Sequence, residues 1–235
     1  MSASYTAGKR YRADWFAPVT APRLGSGSNY VAQQNVSGTF QWNVAMWSSG
    51  DDGHLGTGGT GTKTTLYRDG TQVATSNSQS GRAWSAPQGR YELVATGQRD
   101  HAAWPTSTRT RTAWGFDYVP LPANGAVRAD VPLLNLDYDV DTDVQGKARA
   151  GHRLDLGLRS TTYTGDIAAT GATLQVSYDD GATWRAAPLK RKGEGRWVTV
   201  LHTPDDASSI SLRATSEGPG GLSVEQEVVR AVLLK

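Results

Sequence analysis

Cysteine is absent from this chain of 235 residues, so disulfide frameworks, thiol catalysis, Cys-ligated zinc and iron–sulfur clusters are all excluded. Methionine is scarce, with two residues, and 5 Glu and 6 Lys are outnumbered by 17 Asp and 18 Arg. Long surface helices favour Glu, Lys and Met, so the shortage argues against helical bundles and coiled coils. Excess charge is also lacking: 24 basic and 22 acidic residues give a formal net charge of +2. No field is left to draw in a polyanion over a wide surface, and a dedicated nucleic-acid binder is disfavoured. Residues 1–118 carry +4 and residues 119–235 carry −2, so neither half steers a charged partner. No apolar run is long enough to span a membrane. The stretch Met1 to Phe16 is interrupted by Lys9, Arg10, Arg12 and Asp14 and does not resemble a signal peptide. That leaves either a cytosolic protein or the mature portion of an exported one.

What is abundant is Gly (27), Thr (25) and Ser (19), a mixture suited to strands, tight turns and half-buried sheet faces. Period-2 alternation bounded by turn residues recurs throughout, the signature of strands and hairpins. The clearest hairpin joins Thr64–Arg68 to Thr71–Thr75 across Asp69-Gly70, a dipeptide that tolerates the positive φ of a primed turn. Gly38–Trp47, Gly89–Thr96 and Thr108–Phe116 are further strands of the first half. In the second half the same reading gives Val131–Tyr138, His152–Ser160, Thr173–Tyr178, Thr183–Leu189, Arg196–Leu201, Ser208–Thr215 and Ser223–Leu234. Between the halves, Pro120, Pro122 and Asn124-Gly125 interrupt any ladder. The expected fold is therefore all-β, with two tandem β-sandwich domains of immunoglobulin-like or fibronectin-like strand density, residues 1–118 and 119–235.

Several constellations invite a chemical reading. The glycine-rich stretch Ser49–Thr64 approaches a phosphate-binding loop, but Thr62 stands between Gly61 and Lys63, and a strand follows instead of a helix. Asp51, Asp52 and His54 in that stretch form a sparse trio for a metal. Asp137, Asp139, Asp141 and Asp143 place carboxylates at spacing two, the hard oxygen ligands that calcium takes. They miss the rest of an EF-hand loop, because neither register supplies its Gly and Glu. The alternative is a strand with Leu134, Leu136, Tyr138 and Val140 inward, the aspartates in water, and Arg149 or Arg153 balancing them.

Ser177-Tyr178-Asp179-Asp180-Gly181-Ala182-Thr183-Trp184 matches an Asp box, S-x-D-x-G-x-T-W, at every defined position. In such a box Asp179 accepts turn N–H groups, Gly181 supplies left-handed backbone and Trp184 packs beneath the hairpin, so a single copy with Ser177 and Thr183 is a folding device. Histidines stand at 54, 101, 152 and 202, with no nucleophile elbow and no metalloprotease helix around them. Of eight tryptophans, Trp42 and Trp114 fall inside alternating strands and are expected in the core. Trp47, Trp84 and Trp104 lie beside loops and are the candidates for stacking on sugar rings.

Tyr5-x-Ala7-Gly8 with Tyr11 and Trp15, Asp52-Gly53-His54-x-Gly56 and Thr64–Gly70 together resemble the long C-terminal region that follows the catalytic domain of large secreted bacterial subtilisin-family (S8) serine peptidases. Leu136–Asp143, the Ser177–Trp184 box and Arg196-Trp197 are similar to the terminal sandwich of the same proteins, so the resemblance runs from about Tyr5 to Lys235. None of the family's catalytic strings, D-[ST]-G, H-G-T or G-T-S-M-A, is present, and no catalytic residue carries over. The resemblance implies a secreted, non-catalytic accessory region without a cofactor, calcium apart. Its partners would be a peptidase catalytic domain in cis and a protein or polysaccharide surface, with no nucleic acid and no membrane. The alternative is a carbohydrate-binding β-sandwich module.

Overall fold

A computed structural model describes residues 7–8, 18–25, 30–34, 38–49, 56, 61–84, 86–122, 128–165 and 167–235. Nineteen strands occur among them, and no helix. They are β1 Ala21–Arg23, β2 Tyr30–Gln34, β3 Thr39–Asn43, β4 Ala45–Ser48, β5 Lys63–Arg68, β6 Thr71–Ser76, β7 Ser80–Ala83, β8 Gly89–Gln98, β9 Arg109–Tyr118 and β10 Arg128–Asp130. The remainder are β11 Leu134–Val140, β12 Lys147–Ala148, β13 Arg153–Thr162, β14 Gly171–Ser177, β15 Arg185–Ala186, β16 Lys190–Gly193, β17 Arg196–His202, β18 Ser209–Glu217 and β19 Ser223–Leu234.

The alternation of β13, Leu154, Leu156 and Leu158 buried between exposed Arg153, Asp155 and Arg159, shows why these residues form strands with one dry face. Asp69, at φ 49°, and Gly70, at φ 80°, close the β5–β6 hairpin. Positive φ at both central positions matches the twist of the flanking strands.

One long sheet, in the order β15-β14-β18-β19-β9-β8-β5-β6, runs the width of the molecule, with β12 added parallel to the end of β19. Two shorter sheets, β10-β2-β3-β7 and β11-β13-β17-β16, and the pair β1-β4 complete the architecture. Phe40 of β3 stacks on Phe116 of β9 at 5.5 Å and meets Tyr91 of β8 at 6.1 Å and Tyr118 edge-on at 5.7 Å. Those contacts join β10-β2-β3-β7 to the long sheet as one sandwich. In the other half, Leu154, Leu156 and Leu158 of β13 share a buried cluster with Leu174, Val176, Ile210 and Leu212 of the long sheet. The all-β class and the sandwich architecture are as expected, and Trp42 and Trp114 are buried in the core.

The boundary expected at 118/119 does not separate the sandwiches. β19 pairs antiparallel with β9 from Ser223↔Gly115 to Val229↔Arg109, so the sheet passes from one half to the other without a break. β10, from the second half of the sequence, pairs with β2 of the first, and Val131 N–H donates to the Val31 carbonyl at 2.8 Å. Pairings between strands more than a hundred residues apart leave no local trace, which is why the Pro-containing connection reads as a boundary.

A polar seam reinforces the join. Residues Pro22–Leu24 lie where the sandwiches meet: Asn135 of β11 donates to the Leu24 carbonyl at 2.8 Å and accepts its N–H at 3.1 Å. Gln226 of β19 donates to the Pro22 carbonyl at 3.1 Å and to Thr112 Oγ1 at 2.8 Å. Trp114 Nε1 donates to the Leu134 carbonyl at 2.8 Å. Gln226 Oε1 is buried without a partner among the described residues, but the donors named here each reach another element, so the hydrogen bonds specify one relative placement of those elements.

Candidate functional site

One end of the long sheet gathers most of the candidate residues. There β14 runs into the Asp box, β8 and β9 are joined by residues 99–108, and β19 is bulged opposite Ser211.

In the Asp box the Asp179 carboxylate accepts the Thr183 hydroxyl at 2.6 Å, the Thr183 N–H at 2.8 Å and the Ser177 hydroxyl at 2.7 Å. Ser177 Oγ in turn accepts the Gly181 N–H at 2.9 Å. These donors, the Thr183 hydroxyl first, hold the Asp179 carboxyl down at about 2. Asp179 and Thr183 are exposed, whereas Ser177 is buried, so the carboxylate draws its donors from both a surface turn and a buried hydroxyl. Gly181 sits at φ 89°, a left-handed conformation that suits glycine. Trp184 is half-buried, with the Arg213 guanidinium 4.2 Å from its ring centre, so one face of the indole is covered by a cation.

The box is tied to the other half of the molecule. Arg230, at φ 56° in the β19 bulge, pairs with Asp180 at 3.0 Å and donates to the Pro105 carbonyl at 3.4 Å. Pro105 belongs to the loop that carries Trp104. In that loop Arg99 lies 4.2 Å from the Trp47 ring and 5.0 Å from the Trp104 ring, and donates to the Thr106 carbonyl at 2.9 Å and to Thr20 Oγ1 at 3.0 Å. Burial lowers the pKa of Arg99 from its usual value. The fold thus brings Trp47 and Trp104 together around one arginine. Trp47 is half-buried by this packing, whereas Trp104 stays 57% exposed. Trp84 stands apart, 68% exposed, with Arg82 4.8 Å from its ring.

Beside the box an open groove of about 440 Å³ is lined by Tyr178, Asp179, Thr183, Arg185 and Asp206 among others. Its walls offer both charge signs and a tyrosine whose pKa burial raises, an effect that Arg185 partly opposes.

The four aspartates of the proposed calcium run have separate environments. Asp137 is buried, not in water: it accepts Arg23 Nε at 2.9 Å and Arg159 Nη2 at 2.9 Å. The opposite face of β11 carries Leu134 and Leu136 into the core, while β1 covers the Asn135 and Asp137 face, so both faces are buried there. Neither of the expected partners balances it, since Arg153 pairs with Asp155 at 2.9 Å. Asp139 and Asp141 are exposed. Asp143 accepts the N–H groups of Gln145 at 2.8 Å and Lys147 at 3.0 Å and pairs with Lys235 at 2.7 Å. The Lys235 bond, with these N–H groups, holds its carboxyl at about 2. Among the described residues no group of three or more His, Cys, Asp or Glu is arranged to hold a metal ion.

His101, His152 and His202 are all exposed, and the His152 ring bonds the Ala150 carbonyl at 2.7 Å. Asp51, Asp52, His54 and most of the glycine-rich stretch lie outside the described residues, as do Tyr5, Tyr11 and Trp15. Sequence reading missed Arg99, Arg213 and Arg230, the three arginines that organise this end. An arginine flanked by strand residues reads as solvated surface, and nothing local marks it as stacked or bridging.

No family model matches the chain. It is similar to a DNA ligase of Halorhodospira halophila (strain DSM 244 / SL1), 35% identical over 114 residues, a match covering 44% of this chain and 14% of the ligase. The chain thus spans a small part of the curated relative it matches. Among solved structures it is similar to a chimeric titin Z1Z2 functionalised with a KLER peptide from decorin, at 14% identity and a TM-score of 0.26, over 94% of this chain and 99% of that one.

Proposed function

We propose that the chain is a non-catalytic accessory region of a secreted subtilisin-family serine peptidase, acting as a rigid β-sandwich platform beside the catalytic domain. The observation that supports this reading most is the join between the sandwiches: a continuous sheet through β9 and β19, with the Arg23–Asp137 pair buried beside it at 2.9 Å. A flexible tether would leave such strands apart, whereas an unbroken ladder fixes the distance between whatever is attached at either side. A match confined to 14% of a longer protein also suits a module carried within larger chains.

The test has two arms. The coding sequence upstream of Met1 is expected to specify a subtilisin-type catalytic domain, and the isolated chain is expected to leave casein and chromogenic peptides intact. Turnover that survives stringent purification and is abolished by a serine-hydrolase inhibitor would overturn the reading, because the chemistry would then reside in this chain.

A second reading, a carbohydrate-binding module, is favoured by a different observation: Trp84 and Trp104 present indoles that are 68% and 57% exposed. Flat exposed aromatic faces suit sugar rings. Retention on an insoluble neutral polysaccharide, lost in W84A and W104A, would select it.

A further inference from the structure

Most arginines of this protein answer a carboxylate. Arg23, Arg68, Arg90, Arg109, Arg111, Arg128, Arg153, Arg159, Arg213 and Arg230 all form ion pairs of 4.0 Å or less. The stretch 185–196 breaks the pattern. Arg185, Lys190, Arg191, Lys192 and Arg196 are exposed, and none of them is ion-paired among the described residues. Four described carboxylates stand nearby: Glu194 in the turn between β16 and β17, Glu217 of β18, opposite Gly171 of β14, and Asp179 and Asp206, which line the groove beside Arg185. None forms an ion pair with these cations among the described residues.

The fold sets the cations along one side of the second sandwich. β15 is the edge of the long sheet and β16 the edge of the facing sheet, so Arg185 and the Lys190–Lys192 run share the open side of that sandwich. Arg191 Nη1 donates to the Thr170 carbonyl at 3.4 Å, tying β16 to the start of β14. Lys190 lies opposite Val198, and Gly193 opposite Arg196. At about 3.3 Å per residue, the β16 cations cover roughly 10 Å of edge, and Arg185 and Arg196 extend the row at either side.

A lysine on an edge strand blocks unwanted pairing, but edge protection does not require five cations. The opposite edge of the long sheet, β6, spans Thr71-Gln72-Val73-Ala74-Thr75-Ser76 and carries none. Five cations without carboxylate partners repel one another, and a line of fixed anions relieves that repulsion. We infer that the β15–β16 edge binds a linear anionic polysaccharide, one whose sulfate or carboxylate groups recur along the polymer. No exposed aromatic side chain is interleaved with the cations, so the base-stacking platform of a single-stranded nucleic-acid site is missing. The small net charge of the chain is compatible with this, because the cations are concentrated on one edge while the remainder of the second half is acidic. The inference does not rest on the peptidase reading.

The test is titration of the full chain with dextran sulfate and with polygalacturonate, against neutral dextran and a charge-matched oligothymidine. Five contacts at a log–log slope of about 0.7 each give a loss of affinity of about a hundredfold between 50 and 200 mM salt. K190Q/R191Q/K192Q is expected to weaken binding at least tenfold, with R185Q and R196Q each weakening it further and K63Q, on β5 toward the opposite edge of the long sheet, having no effect. Should the triple variant misfold, the single variant K192Q and the salt slope of the unaltered chain carry the test. Binding to neither polyanion at 50 mM salt, or binding unchanged in the variants, would overturn the inference. Oligothymidine bound more tightly than either polysaccharide would overturn the ligand class.

Discussion

The two sandwiches share a sheet but fill their interiors differently. The first is aromatic: Phe40, Trp42, Tyr91, Phe116 and Tyr118 are all buried, with ring centres 5.3–6.4 Å apart where they meet. The second is aliphatic, built from leucines and valines of β13, β14 and β18, with Trp197 as the one buried aromatic of that half among the described residues. Aromatic cores fill volume with few stiff side chains and retain polar handles that must be answered. Here they are: Trp42 Nε1 donates to Thr64 Oγ1 at 2.8 Å and Tyr91 OH to the Pro87 carbonyl at 2.8 Å. The aliphatic core has few such handles, Trp197 within it and the buried Tyr138 hydroxyl at its margin, and relies mainly on interdigitation. Each handle is a second way to damage the first sandwich, and the difference teaches where substitutions cost most.

The largest effects are expected where a handle or a buried charge loses its partner. Trp42→Ala removes both a ring and a bond and should cost about 3–5 kcal/mol by denaturant melts. Asp137→Ala removes the carboxylate that faces buried Arg23, whose Nη1 keeps the neutral Leu24 carbonyl at 3.2 Å, and should also cost about 3–5 kcal/mol. The double change R23M/D137L should recover most of that loss, because an apolar pair of similar size removes both charges. A double variant as unstable as the single one would show that the seam depends on the ions themselves. In the aliphatic half, Leu156→Ala should cost about 2–5 kcal/mol through the cavity it leaves. Equal losses in Trp42→Ala and in a Trp42→Phe variant would remove the distinction between the two cores, since phenylalanine keeps the ring and drops the bond.

Acid should act through the surface turns. Asp179 and Asp143 are held near 2 in the folded chain against an ordinary value of 3.8. A depressed carboxyl favours the folded state above its unfolded pKa, and the benefit is lost as the pH falls from about 4 toward 2. Asp179→Asn is therefore expected to lower the melting temperature near neutrality and to converge on the unaltered chain near pH 2, flattening the profile over that window. An unchanged acid limb would mean the box does not couple to folding. The smallest effect is expected from Trp104→Ala, about 0.5–1 kcal/mol for an exposed ring beside a cation.

Much of the strand content was legible because alternation is local. β5, β6, β8, β9, β13, β17 and β19 fall where period-2 patterning and turn residues put them. Thr183–Leu189 did not form the strand expected of it: the Asp box consumes its start, and only Arg185–Ala186 pair with β14. The short strands β1, β2, β7 and β10 escaped notice because their pairing lies in distant partners, not in their own composition. The turn chemistry of Asp179 could be read from spacing alone. Burial of Asp137 could not, since it depends on Arg23, 114 residues away along the chain.

The fused sheet is the premise from which the platform reading, the seam and the predicted variants all follow. Native-state hydrogen exchange on the intact chain tests it most directly, read at the amides of Thr110–Gly115 in β9 and Ser223–Val229 in β19. If the sandwiches are one cooperative unit, the most protected amides of both strands should exchange only through global unfolding, with the same free energy and the same denaturant dependence. If the β19 amides open with a different free energy from those of β9, or if β9 exchanges while the second sandwich stays protected, the halves are independent modules and the account is wrong.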